Sequence, residues 1–325
     1  HDGLLAEGTY PERDFLGGAY DGALSAARLE TLAETPYLYF LRYVLGVRPL
    51  DEPALDEEPW FNRRRRGTLL HATFESFMRR LDGEPPSLEH EPLLREVLRA
   101  ELEREIERVV PPSRVEEEAA RRQLLEDARL FLRVEAERAA ECTPLYHEVG
   151  FGFGPYRRRE GDLGEVALPV GDAALPLRGV IDRVDRRPDG SLAVWDYKTG
   201  SSASFDEAEP VQNGATLQWA LYAYALEAAT GKPVASSGYY FTSIAEMGVR
   251  LAFEPSAYRP DVEALIRRLA RLARSGSFPM NPKAKDIGRW QWGGYDRLFP
   301  DLAARSKELA VKAYPEGRPR PPWLD

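Results

Sequence analysis

The run GVIDRVDRRPDGSLAVWDYKTG, residues 179–200, constrains this chain's fold most. Pro188, Asp189 and Gly190 form a strong turn signal between two stretches of strand character. A turn centred on Asp189 sets Asp182 directly across from Asp196. Opposed residues of an antiparallel pair share a face, with Cβ atoms about 4.5–5.5 Å apart. Lys198 lies two residues beyond Asp196 and shares that face, as do Val180, Val184 and Val194. The result is an apolar strand surface carrying two acids and a lysine.

Two carboxylates that close repel by about 1–4 kcal/mol or more. A cation with a preference for oxygen ligands, magnesium or manganese, compensates them. Such an ion can clamp a phosphate and activate a water. Lys198 then orients that water or neutralises developing negative charge. The plainer alternative is an exposed hairpin in which Asp182, Arg183, Asp196 and Lys198 form surface ion pairs of little energetic weight.

Elsewhere the pattern predicts a helical first part and a sheet-bearing second part. Residues 1–20 read as an arm or linker. Residues 25–45 have helical spacing, with Ser25 as N-cap and a break at Pro36. Residues 46–60 read as a loop. Residues 67–81 form a helix with an apolar stripe of Leu69, Leu70, Thr73, Phe74, Phe77 and Met78. Residues 88–110 and 114–141 form two charged helices whose Glu/Arg pairs predict solvent-exposed faces. Strands follow at 146–153, 164–170, 175–185, 191–198, 239–243 and 249–253, with helices at 214–229 and 258–275. The expected organisation is an arm (1–20), a helical portion (21–143), a core (144–275) and a tail (276–325). The expected class is α/β or α+β, a mixed sheet flanked by helices.

Composition narrows the setting. Charged residues make up 30% and hydrophobic residues 43% of 325, as in globular chains. There is no apolar run near the ~18 residues of a membrane span and no signal-peptide pattern, so a cytoplasmic protein without a membrane partner is expected. Cys142 is the single cysteine, which rules out an internal disulfide and reads as a buried thiol. Arginine supplies nearly all of the positive charge, only six of 44 basic residues being lysine. The run Arg63, Arg64, Arg65 and Arg66 fits either a phosphate-guiding patch or a solvated loop ahead of the 67–81 helix. There is no Walker-type loop, so a helicase motor would lie elsewhere. The chain starts at His1, which reads as a domain cut from a longer polypeptide.

The hairpin, with GxIDRVD then DYKTG, resembles the RecB-type branch of the PD-(D/E)XK nuclease family, whose fold is restriction-endonuclease-like. Three further pieces resemble that branch in its order: Gly67-Thr68-Leu69-Leu70-His71, Tyr146-His147-Glu148 with Phe151, and Gln218 with Tyr222. The stretch from Ser25 to Leu41 resembles the entry to the nuclease domain of AddB-type helicase–nuclease subunits. The resemblance implies a magnesium- or manganese-dependent DNA nuclease, an exonuclease on single strands or duplex ends in recombination or repair, with a helicase domain or subunit as partner. It makes Asp182, Asp196 and the Tyr197 carbonyl metal ligands and Lys198 the catalytic lysine. His71 becomes an added ligand or orients one; Glu148 touches the metal or braces the site. Gln218 and Tyr222 share a helix face lining the cleft, where Tyr222 equally reads as core packing.

The sequence departs from the AddB pattern at the iron–sulfur cysteines. Thr35 stands where one is common, and none occurs near Trp290, Trp292, Tyr295 and Phe299. No cluster is expected, and these aromatics are expected to pack where one would staple the ends. Two rival readings stand beside the nuclease: a catalytically silent DNA-binding or scaffold module, and a metal-dependent hydrolase of another substrate.

Overall fold

Ser25 caps the first helix as expected, its hydroxyl accepting the Arg28 N–H at 3.4 Å. In the computed structural model, residue 16 and residues 22–48, 60–170, 173–281 and 320–324 are described. Helix α1 (Ala26–Glu34) ends at Thr35, and Pro36 starts α2 (Pro36–Tyr39), which continues as a wide π turn, Phe40–Val44. The predicted break at Pro36 is therefore a junction between two helices, with Thr35 buried at it. The 1–20 arm, except residue 16, and the tail aromatics Trp290, Trp292, Tyr295 and Phe299 fall outside the described residues.

Helix α3 (Arg63–Leu81) begins four residues before the predicted start. Asn62 accepts the Arg65 N–H at 2.9 Å, and arginine is a good helix former, so the arginine run is the first turn of the helix, not a loop before it. Helices α4 (Glu91–Arg108) and α5 (Arg114–Arg138) follow, α5 capped by Ser113. Their faces are less exposed than predicted. Glu101, Asp127 and Glu135 are buried, because each meets a partner from another element: Ser76, Arg66 and Arg183 respectively.

The strands are β1 (Thr143–Phe151), β2 (Val166–Val170), β3 (Ala173–Leu177), β4 (Gly179–Arg186) and β5 (Leu192–Lys198). Then come α6 (Gln218–Thr230), β6 (Val234–Phe241), β7 (Arg250–Phe253) and α7 (Pro255–Arg274). The main sheet has the order β1-β4-β5-β6-β7, while β2 and β3 form a separate ribbon. Among the described strands only β5 and β6 pair in parallel, joined by α6 as crossover. The sheet is mixed and flanked by helices, as expected.

The predicted strand 175–185 is divided at Arg178, where the chain at Leu24 takes the Arg178 N–H and donates to Pro176. Strand β6 starts earlier than predicted because parallel pairing runs the length of β5, from Leu192 opposite Val234 to Lys198 opposite Phe241.

Alternation along β5 separates two cores. Leu192 and Val194 join a cluster with α1, α6 and α7, including Leu29, Trp219, Tyr224 and Ile266. Ala193, Trp195 and Tyr197 join a second cluster with α3, α4 and α5, where Phe74 stacks on Phe131 at 3.9 Å. Beyond α7 the chain returns to α1 and α2: Phe278 stacks on Tyr39 and Phe40, and Asn281 donates to the Glu34 carbonyl at 2.8 Å. Among the described residues no helix is long and apolar enough to cross a membrane.

Candidate metal centre

The hairpin register is the one a turn at Asp189 dictates. Arg183 opposes Trp195, Val184 opposes Val194 and Asp185 opposes Ala193, so one step further brings Asp182 to Asp196. Asp189 accepts the Ser191 N–H and hydroxyl, and Gly190 takes φ +85°, the left-handed geometry this turn needs. The surface-ion-pair alternative fails on burial: Asp182, Arg183 and Asp196 are all buried.

Around the two aspartates the sequence-distant residues converge. Asp182 Oδ2 accepts the Tyr197 N–H at 2.7 Å. Lys198 Nζ lies 2.5 Å from Asp196 Oδ2. Gln218, at the start of α6, donates through Nε2 to Asp196 Oδ1, and its Oε1 is 3.5 Å from Lys198 Nζ. Tyr222, one turn on, packs edge-on against Phe151 and abuts Gly179, where a Cβ would come within 2.8 Å of its ring. Helix α3 brings His71, whose Nδ1 is 3.5 Å from Asp182 Oδ2 and 3.6 Å from Glu148 Oε1, while Nε2 contacts the Tyr197 carbonyl at 3.1 Å. The Tyr197 ring itself points into the second core.

Glu148 reaches the cluster by an unusual backbone. The pairs His147–Arg183 and Val149–Ile181 place it opposite Asp182, yet it has φ +48° inside β1. A left-handed non-glycine residue in a strand is a strained position of the kind found at ligand clamps. Glu148→Gly is therefore expected to be more stable than Glu148→Ala by about 1 kcal/mol, since only glycine adopts this φ without cost. Urea melts of the two variants test this; an alanine variant as stable as the glycine variant would remove the strain argument.

The electrostatics report a surplus of negative charge. Burial raises the Asp182 carboxyl well above its ordinary value, and the Asp196 charge adds to this. Burial works against the His71 imidazolium, but Glu148, Asp182 and Asp196 outweigh it and hold His71 at about 9. Burial also opposes the Lys198 ammonium, and Asp196, Asp182 and Glu30 overcome it, raising the lysine above its usual range.

The donor set fits a divalent ion. His71, Glu148 and Asp182 each offer one ligand atom, all within 4.8 Å of one another. Asp196 is buried beside them, its Oδ2 paired with the Lys198 ammonium. The contact of Nε2 with the Tyr197 carbonyl orients the imidazole and leaves its other nitrogen free for a metal.

Glu30 of α1 carries no signal in the sequence. Its Oε1 accepts both the Leu217 and Gln218 N–H groups, at 2.8 and 3.0 Å, and so caps α6 where Gln218 leaves for Asp196. Burial raises its carboxyl, the two amides opposing. A carboxylate at a helix N-terminus is favourable, but no local pattern reveals a cap supplied by another helix.

The arginine run divides in two. Arg66 pairs with buried Asp127, and Arg65 donates to the Trp60 carbonyl at 2.7 Å. Arg63 and Arg64 remain exposed at the start of α3, where Gly67 approaches the Thr199 hydroxyl. Cys142 is half-buried rather than buried; its thiol, 3.5 Å from Asp185, is pushed up to about 11 by burial and by that carboxylate.

The sequence is similar to those of known proteins. The chain is 30% identical over 213 residues to an ATP-dependent helicase/deoxyribonuclease subunit of Streptococcus agalactiae, a match covering 66% of this chain and 16% of that protein. It is 30% identical over 208 residues to the Streptococcus mutans protein of the same name, and 28% over 214 residues to that of Streptococcus equi, again over 16% of each relative. The matched segment is therefore about one sixth of the length of these relatives. The family model of the PD-(D/E)XK nuclease superfamily matches residues 23–289, from α1 through every strand of both sheets, and the chain belongs to that superfamily.

Proposed function

We propose that this chain is a magnesium- or manganese-dependent deoxyribonuclease that hydrolyses phosphodiester bonds at single strands or DNA ends, working with a helicase portion in recombination or repair. The observation that carries the reading is the convergence of His71, Glu148 and Asp182 on one point of the hairpin that also holds Asp196, a buried carboxylate paired with Lys198. Superfamily membership and the names of the streptococcal relatives support it.

Asp182, Asp196, His71 and Glu148 would hold the ion, with the Tyr197 carbonyl beside His71. A bound divalent ion supplies Lewis-acid charge to the scissile phosphate and lowers the pKa of a water. The chain's own groups do the rest. Lys198 keeps an ammonium next to Asp196, where it orients the attacking water or faces the charge building on phosphate oxygens. Gln218 fixes Asp196 and lies beside Lys198, so the carboxylate and the ammonium are held as one unit. Tyr222 walls the cleft on the α6 side.

End-labelled single-stranded DNA incubated with the chain in magnesium, in manganese and in EDTA tests the reading. Cleavage is expected with either ion and is expected to stop in EDTA. Equal cleavage in EDTA would overturn metal dependence. A wild type that cuts nothing, with Asp182→Ala binding DNA equally well, would instead identify a silent scaffold.

A further inference from the structure

The loop between β1 and β2 has no part in the metal centre, yet it is firmly built. It leaves β1 at Phe151 and carries Tyr156, Arg157, Arg158 and Arg159. Tyr156 is 102% exposed, an aromatic ring held entirely in solvent. Among the described residues no carboxylate lies within ion-pair distance of Arg157, Arg158 or Arg159, in a chain with a net charge of −9. Cations outside any ion pair on an acidic protein can take negative charge from another molecule.

The loop is braced. Asp162 is buried, and its carboxylate accepts the Gly150 and Arg159 N–H groups, both at 2.8 Å. Gly150 is a glycine for this reason, as a Cβ would stand 2.7 Å from that carboxylate. The Arg158 guanidinium donates to the Asp162 carbonyl, Leu163 to Gly150, and Gly152 to Gly164. Gly152 has φ +69° and lies so close to the Leu177 carbonyl that no side chain fits. These bonds close the segment into a hook whose tip holds Tyr156 between its brace points.

The hook leaves the sheet beside the candidate metal centre. Its base, Gly150, is two residues from Glu148, about 7 Å along the strand. Helix α3 runs past the same points in order: Gly67 at Thr199, His71 at Glu148 and Asp182, then Glu75 one turn on.

We propose that this hook is a binding subsite for an unpaired nucleic-acid strand, Tyr156 stacking one base while Arg157 and Arg159 hold flanking phosphates. It rests on the nuclease reading of the cleft and adds where the strand lies beyond the cut. An aromatic face accepts any unpaired base, and flanking cations follow the backbone, so the subsite is sequence-tolerant. A paired duplex keeps its base faces covered and gains little from Tyr156.

Fluorescence anisotropy of labelled oligo-dT in EDTA reads binding apart from cleavage. Tyr156→Ala is expected to bind about tenfold or more weakly, Tyr156→Phe to retain most of the affinity, and neither to change the melting temperature. Arg157→Ala with Arg159→Ala is expected to flatten the slope of log affinity against log salt by about 0.7 per lost contact. A blunt duplex should lose little with Tyr156→Ala. Affinities within twofold of wild type for all variants, or equal losses on duplex and single strand, would overturn the hook. A wild type that cuts DNA while hook variants bind normally sinks the hook alone. A wild type that cuts nothing, but whose hook variants lose strand affinity, sinks the nuclease reading alone.

Discussion

Asp196→Asn is expected to lower metal-dependent DNA cleavage by about a thousandfold or more. The substitution keeps the shape of the side chain, and its oxygen can still accept from Gln218. What it removes is the negative charge beside Lys198 that would hold the ion. Metal-based charge stabilisation is worth several kcal/mol in a transition state, and each 1.36 kcal/mol is a factor of ten. Stability is expected to change little, because one of two crowded carboxylates becomes neutral and the burden on Asp182 falls while Lys198 loses its nearest counter-charge. Loss of rate with a nearly unchanged melting temperature separates this outcome from misfolding. A variant within tenfold of the wild-type rate would place the ion elsewhere.

Glu135→Ala is expected to have the largest effect on stability, a loss of about 3–5 kcal/mol, the range for breaking a buried ion pair by removing one partner. Glu135 is buried in α5 and accepts from Arg183 at 2.9 Å and from Arg250 at 2.7 Å. Arg183 also donates to Asp185, which in turn accepts from Trp195 Nε1 and from Cys142. Arg250 lies over the Tyr240 ring at 4.0 Å. Alanine leaves two guanidinium groups under-compensated in the interior, on the sheet face opposite Asp182 and Asp196. Because Arg183 is flanked on β4 by Asp182 and Val184, the damage is expected to reach the metal centre through the strand. Chemical denaturation measures the stability; a loss below about 1 kcal/mol would mean that α5 relaxes to let water in.

The two variants mark what the residues alone reveal. Asp182, Asp196 and Lys198 are legible because a turn at Asp189 fixes a register, and a register fixes a face. Gln218 with Tyr222 needs only helical spacing. The charged helices mislead for a physical reason: an acid that can pair locally with arginine looks solvated, and Glu135 and Asp127 find their real partners on β4, β7 and α3. Glu148 gives no sign in the sequence of its left-handed backbone. Glu30 is invisible for the same kind of reason, since its meaning lies in two amides far along the chain.

That distance has a consequence for the order in which the centre is assembled during synthesis. Glu30 and the amide it holds at Leu217 are separated by 187 residues. At about 5–20 residues per second of synthesis, roughly ten to forty seconds pass between the emergence of one and of the other. Until then the helix carrying Gln218 has neither its cap nor its place against Asp196. The hairpin's Asp196 precedes Leu217 by only 21 residues, roughly one to four seconds of synthesis, so Glu30 waits far longer than the acids do and the centre closes soon after its hairpin is made.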